Sequence, residues 1–138
     1  MDKKLIQRIR RNVAGRVLIS ASLARHTTYR VGGAAEVLVC PKDAADAKRV
    51  YSFLRREGVP LAVIGAGSNV IAPDEGIEGV VVQTATASAR VEFPGGGRVR
   101  ADAGVPLMDL VRMTAARGLS GLEALAGIPG TVGGAVMM

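Results

Sequence analysis

Residues 59–76, VPLAVIGAGSNVIAPDEG, decide how this chain folds. VPLAVIG has the length and apolar content of a buried strand, and GAGSN directly after it is a glycine turn. A strand running into Gly-x-Gly is the usual opening of a dinucleotide site, but that site needs G-x-G-x-x-G at the head of a helix, the third glycine letting helix and strand pack closely. Here the third position is Val70, and IAPDEGIEG beyond it contains Pro73 and two glycines, so no amphipathic helix of useful length starts there. No Gly-Lys-Ser or Gly-Lys-Thr occurs, which removes a Walker phosphate loop. What remains is a compact turn whose consecutive backbone N–H groups and Ser68 hydroxyl could converge on a phosphate oxygen with no helix dipole behind them, side chains only obstructing the approach. An ordinary strand-to-strand turn fits the loop equally well.

Upstream, AEVLVCP reads as a strand and KDAADAKRVYSFLRREG as a helix. Asp43 is placed to cap that helix, Ala44, Ala47, Val50, Tyr51 and Leu54 share one face, and Gly58 supplies a left-handed stop. Strand, helix and strand over residues 36–64 make a βαβ unit, whose strands should be parallel with a right-handed crossover; GVVVQ is a candidate third strand. Before it, Leu5, Ile9 and Val13 recur at helical spacing in an N-terminal helix that Gly15 is expected to end. ISASLARHTTYRVGGAA, residues 19–35, has neither period and reads as an ordered loop.

Downstream, ARVEFPGGGRVRADAG alternates Val91 and Phe93 before a Pro-Gly-Gly-Gly turn with Val99, Ala101 and Ala103 after it, a hairpin that opens an antiparallel part. VPLMDLVRMTAARG is a helix with Pro106 in its first turn and Gly118 as its stop. LSGLEALAGIPGTVGGAVMM is glycine-punctuated without a clean period and ends on no terminating element, as in a chain cut rather than finished. The chain thus divides into residues 1–83, the N-terminal helix and βαβ unit, and residues 84–138, the beginning of a second subdomain. The fold class is α+β.

Composition narrows the function. One domain of 138 residues can hold a real core, but aromatics are only 3% with no Trp, so stacking on nucleic-acid bases is poorly supplied. The net charge of +6 is an N-terminal feature: residues 1–30 carry eight Lys and Arg against Asp2 alone, and the remainder has ten bases and eleven acids. Because apolar residues recur inside that cluster, an amphipathic helix with a solvated basic face is favoured over a nucleic-acid arm. Basic residues before RVLISASLAR imitate a signal peptide, but two serines and RHTTYR spoil the apolar run, and no run reaches the roughly 18 residues needed to span a bilayer. A soluble, cytoplasmic protein with no membrane or nucleic-acid partner is expected. A single cysteine, Cys40, excludes an internal disulfide and a multi-thiolate metal site. A single histidine, His26, excludes histidine clusters and is more often a loop residue than a catalyst.

A second glycine cluster, GIPGTVGGA, again offers backbone donors with little side-chain bulk and again carries a hydroxyl, Thr131. Two such loops in one small domain suggest one extended, phosphate-bearing ligand; the alternative is a glycine-rich turn between close-packed elements. Tyr29 and Arg30 stand beside Gly32 and Gly33, where a ring and a cation could meet a cofactor or simply pack. Glu123 in GLEAL reads as a capping or turn-stabilising carboxylate.

HTTYRVGGAAEVLVCP, VIGAGSNVIAPDEGIEGVVV and AGVPLMDLVRMTAARGLSGLEALAGIPGTVGGAVMM resemble, in order and spacing, the N-terminal half of the bacterial UDP-N-acetylenolpyruvoylglucosamine reductase family, from about residue 22 onward. The resemblance implies an FAD-binding fold of the vanillyl-alcohol-oxidase type and an NADPH-dependent reduction of a nucleotide-sugar in peptidoglycan synthesis. By the same resemblance Gly65, Ala66, Gly67, Ser68, Asn69 and Val70 would cradle the FAD phosphates. Gly127, Ile128, Pro129, Gly130, Thr131, Gly133 and Gly134 would close over the cofactor, with Tyr29 near it. Ala34 stands where the family commonly has Pro. The family's catalytic Arg, Ser proton donor and Glu, and its substrate domain, lie beyond the matched half, so no catalytic residue is assigned here and the chain by itself is expected to be inactive. A non-catalytic flavin module is the alternative.

Overall fold

The computed structural model describes residues 1–87 and 89–138. Helix α1 (Lys3–Asn12) leads into strand β1 (Arg16–Ser22), followed by β2 (Ala34–Cys40), α2 (Ala44–Arg56), β3 (Leu61–Ile64) and β4 (Ile77–Gln83). The hairpin β5 (Val91–Gly95) and β6 (Arg98–Ala101), then α3 (Leu107–Ala115) and α4 (Val132–Met137), complete the chain. The first sheet has the order β1-β2-β4-β3, and the hairpin is a separate two-stranded sheet.

The βαβ expectation holds in direction and is refined in adjacency. Strands β2 and β3 run parallel, but each pairs with β4, which lies between them. The candidate third strand is therefore central. Its apolar run is buried on both faces: Val80 and Val82 join Val37 and Val39 against Ile9, Val50, Phe53 and Leu54 of the two helices. Val81 faces the other way with Leu38, Ile64, Leu23 and Ala72. Two covered faces explain why β2 and β4 show continuous rather than alternating hydrophobicity.

Residues 19–35 are not all loop, contrary to the expectation. Strand β1 pairs antiparallel with β2 from Arg16 opposite Cys40 to Ser22 opposite Ala34. It is an edge strand with an exposed Ile19, and Ser20 sits at φ +49°, so the period-two pattern that would announce a strand is broken. Gly15 does not end α1 either; the helix stops at Asn12 with Val13 extended. Gly15 serves the crossing that follows, where a Cβ would lie 2.0 Å from the Cys40 carbonyl oxygen. The basic face of α1 is partly spent on packing: Arg8 pairs with Glu57 at 2.7 Å and lies over the Phe53 ring.

The hairpin forms as read, with Val91 opposite Ala101. Helix α3 buries Leu107, Leu110 and Thr114, and Pro106 stands at its N-cap. Helix α4 is an element the sequence did not announce. Thr131 caps it, its Oγ1 accepting from the Gly134 amide at 3.3 Å, and two glycines in its first turn conceal its helical character. No helix among the described residues is long and apolar enough to cross a membrane.

Asp46, only 2% exposed, locks the N-terminal segment to α2. Its carboxylate accepts hydrogen bonds from the amides of Ala14 (3.0 Å), Gly15 (2.9 Å) and Lys42 (2.9 Å) and pairs with Arg49. Burial pushes this carboxyl up, but the Ala14, Lys42 and Gly15 amides together with the Arg49 guanidinium outweigh burial and hold it below the ordinary Asp value. A depressed folded pKa contributes stability that is present above the unfolded value near 4 and is lost as pH falls through the folded value. Asp46→Ala, which orphans three amides, should lower unfolding free energy by about 3 kcal/mol at neutral pH in urea denaturation, and should flatten the loss of stability below about pH 4. An unchanged urea midpoint would contradict this role.

Candidate cofactor site

The GAGSN turn leaves β3 as the sequence suggested, and residues 65–76 contain no helix. Gly67 lies at φ +70°, and a Cβ there would stand 2.3 Å from the His26 carbonyl oxygen. Its own carbonyl accepts from the Thr28 amide at 3.0 Å. The expectation was that glycine here clears room for a ligand. The structure adds a second constraint: a side chain at residue 67 would also meet the chain's own residues 26 and 27.

The turn's unused hydrogen-bonding capacity lies in its backbone. Among the described residues, the amides of Ala66, Gly67, Ser68 and Asn69 donate to no protein acceptor. Consecutive free donors in a turn are the raw material of an anion site of the kind that needs no helix dipole.

The second glycine loop is stitched to the segment before α3. Leu107 donates to the Gly130 carbonyl at 3.0 Å, Val132 to Val105 at 2.9 Å and Gly133 to Ala103 at 2.9 Å. It then meets the first loop directly. Ser68 Oγ donates to the Pro129 carbonyl at 3.1 Å, and a Cβ on Gly65 would lie 2.3 Å from Thr131 Oγ1. Between the loops is a cavity of about 350 Å³.

Its wall holds all of Gly65, Ala66, Gly67, Ser68, Asn69 and Val70 from the first loop, and Ile128, Pro129, Gly130, Thr131 and Gly134 from the second. Three residues singled out in the sequence do not line it. Gly133 is held against Ala103, where a Cβ would come within 2.8 Å of the alanine methyl; Gly127 lies outside the wall; Tyr29 is 51% exposed elsewhere. Leu125, Ala135 and Met138 line the cavity without having been singled out. The unread helix α4 was the missing signal for Ala135.

Both hydroxyls have partners within the chain. Thr131 is buried and spends Oγ1 on capping α4, and Ser68 bridges the two loops. No ionisable side chain lines the cavity. Glu123, exposed, accepts from the Gly121 amide at 2.7 Å. Hydrogen bonds from its own amide and that of Gly121 hold its carboxyl below the ordinary Glu value, as a turn-stabilising role requires. No cluster of metal-ligating side chains occurs among the described residues.

The Gly65–Thr131 contact is testable by a double-mutant cycle in urea denaturation. Gly65→Ala should cost about 2 kcal/mol through overpacking and Thr131→Ala about 1 kcal/mol through the lost cap. The double variant should cost less than the sum, because removing Oγ1 makes room for the new methyl. Strict additivity would show that the loops do not press on one another here.

Three comparisons bear on this geometry. A family model described as an FAD binding domain matches residues 35–138. The UDP-N-acetylenolpyruvoylglucosamine reductase of Geobacter metallireducens is 42% identical over 138 residues, which is 100% of this chain and 46% of that protein. The reductase of the same name from Bacillus subtilis is 40% identical over 136 residues, 99% of this chain and 45% of that protein. The crystal structure of UDP-N-acetylenolpyruvylglucosamine reductase (MurB) from Thermus caldophilus superposes with a TM-score of 0.59 at 33% identity, over 88% of this chain and 41% of that one. The chain spans less than half the length of these relatives. The mixed sheet, antiparallel hairpin and helix-free glycine turn thus answer to the FAD-binding fold that the resemblance implied, and the chain belongs to the FAD-binding domain family, with FAD as its cofactor.

Proposed function

We propose that residues 65–70 and 127–135 hold FAD in a reductase of the UDP-N-acetylenolpyruvoylglucosamine type, and that this chain supplies the cofactor cradle of that enzyme. The observation that carries the reading is the run of free amides at Ala66, Gly67, Ser68 and Asn69 opening on a cavity closed by a second glycine loop. Such amides suit the diphosphate of a dinucleotide, whose charge they meet with fixed dipoles at no cost in side-chain ordering. Val70, Leu125 and Ile128 give the same cavity an apolar wall suited to the flanking groups. Gly127 and Gly133 are assigned to shaping the second loop and Tyr29 to the cofactor's neighbourhood.

The FAD that these residues would hold would supply hydride-transfer chemistry, from NADPH to the enolpyruvyl double bond of UDP-N-acetylglucosamine enolpyruvate, with a proton delivered separately to give UDP-N-acetylmuramate. The residues described here bind and orient. Their proton-transfer capacity is small: Ser68 is engaged with Pro129, and a Glu123 carboxyl held below its ordinary value is a poor acid near neutral pH. Protonation is therefore assigned to residues other than these. The same reading places the protein in the cytoplasm, in peptidoglycan synthesis, with consequences for cell shape and division. It divides the chain into a βαβ subdomain, residues 1–83, and the start of a second subdomain, residues 84–138, supported by the change from the mixed sheet to the separate hairpin.

Gly134→Leu tests the cavity. Residue 134 is helical, so leucine is favoured over glycine there by propensity while its side chain fills the space between the loops. The folded variant should bind FAD at least about tenfold more weakly than the parent chain in a flavin-fluorescence titration. Equal affinity in a stably folded variant would remove the cofactor from this cavity.

A further inference from the structure

The Ala66 turn has a second side. There a wider cavity of about 680 Å³ includes Ala66 in its wall together with Arg25, His26, Thr27, Arg30 and Gln83. Its lining contains no Asp or Glu, and neither Arg25 nor Arg30 enters an ion pair among the described residues. His26 Nδ1 lies 2.8 Å from Gln83 Oε1, a hydrogen bond that fixes the ring in the wall. Thr27, 8% exposed, carries in Oγ1 the buried side-chain polar atom that lacks a hydrogen-bond partner among the described residues.

The segment bearing these groups is held in an unusual shape. Arg30 has φ +55°, a left-handed conformation that non-glycine residues rarely adopt. It is pinned on both sides: Thr28 donates to the Gly67 carbonyl at 3.0 Å, and Gly33 donates to Pro73 at 2.9 Å. A strained backbone fixed from two directions, bearing an unpaired cation over a concavity without acids, is the pattern of a preorganised anion site.

We propose that this cavity takes a phosphoryl group, bound by the guanidinium groups of Arg25 and Arg30 and approached from the Ala66 turn. Guanidinium forks match phosphate oxygens bidentately, and two of them beside a cavity whose described lining holds no acid favour a multiply charged phosphoryl group over a lone carboxylate. The residues differ from those of the glycine cavity apart from Ala66. The phosphoryl group can belong to the cofactor's diphosphate or to a separate phosphate ester.

Pyrophosphate titrated calorimetrically into the full chain at low salt tests this. The parent chain should bind it, with affinity falling as salt rises, and Arg25→Ala and Arg30→Asn should each weaken binding about tenfold. Asn is chosen because it tolerates the left-handed backbone, and circular dichroism checks the fold. Should Arg30→Asn fail to fold, Arg25→Ala decides alone. No binding at millimolar pyrophosphate, or equal binding after these substitutions, overturns the site. Repeating the titration on FAD-loaded protein separates the sources: lost pyrophosphate binding assigns the group to the cofactor, and undiminished binding assigns it to a separate ligand. Pyrophosphate binding without FAD binding would leave this site standing while the cofactor assignment fell.

Discussion

The approach of Gly65 to Thr131 is the constraint on which the site depends. With no side chain at residue 65, Thr131 Oγ1 occupies the space where a Cβ would be, and the end of β3 touches the start of α4. That contact ties the mixed sheet to the second part of the chain, and the Ser68–Pro129 hydrogen bond extends it. Because the same Thr131 caps α4, the helix, the second glycine loop and the first turn are fixed together. Residues of both loops line the cavity beside this contact.

The proposed dinucleotide site does without the helix that such sites often use. A helix N-terminus concentrates several unpaired amides and a favourable dipole at one point. Here, in the reading proposed above, the four amides after Gly65 would do comparable work from a turn that β3 and the residues 26–28 backbone hold in shape. Pro73 and the glycines after it close the route to a helix, and the chain instead passes through Ala72, packed under the sheet, into the central strand. Removing the helix frees that face of the sheet for Leu23 and the loop that follows it.

Much of the fold was legible because its signals are local. Asp43 and Gly58 mark the ends of α2, and the Pro-Gly-Gly-Gly turn marks the hairpin. The insertion of β4 between β2 and β3 was not legible, since Val80, Val81 and Val82 are all buried and a strand covered on both faces has no period to betray its neighbours. Strand β1 was hidden by Ser20 at positive φ and by its edge position, and α4 by glycines that lower helix propensity. In the site, the resemblance supplied most of the cavity wall, whereas the residues alone left each loop ambiguous. The roles of single residues needed tertiary contacts: Gly67 clears its own chain, Gly133 clears Ala103, and Thr131 caps a helix.

The central claim is that backbone amides of the turn after β3, with no helix behind them, receive the cofactor's diphosphate. Backbone ¹⁵N–¹H spectra of the chain with increasing FAD test it most directly. The largest shifts should fall on Ala66, Gly67, Ser68 and Asn69, with smaller ones on Gly130 and Gly134 across the cavity, and ADP should reproduce the first group. Shifts confined to other segments, with those four amides unmoved at saturating FAD, would contradict the account.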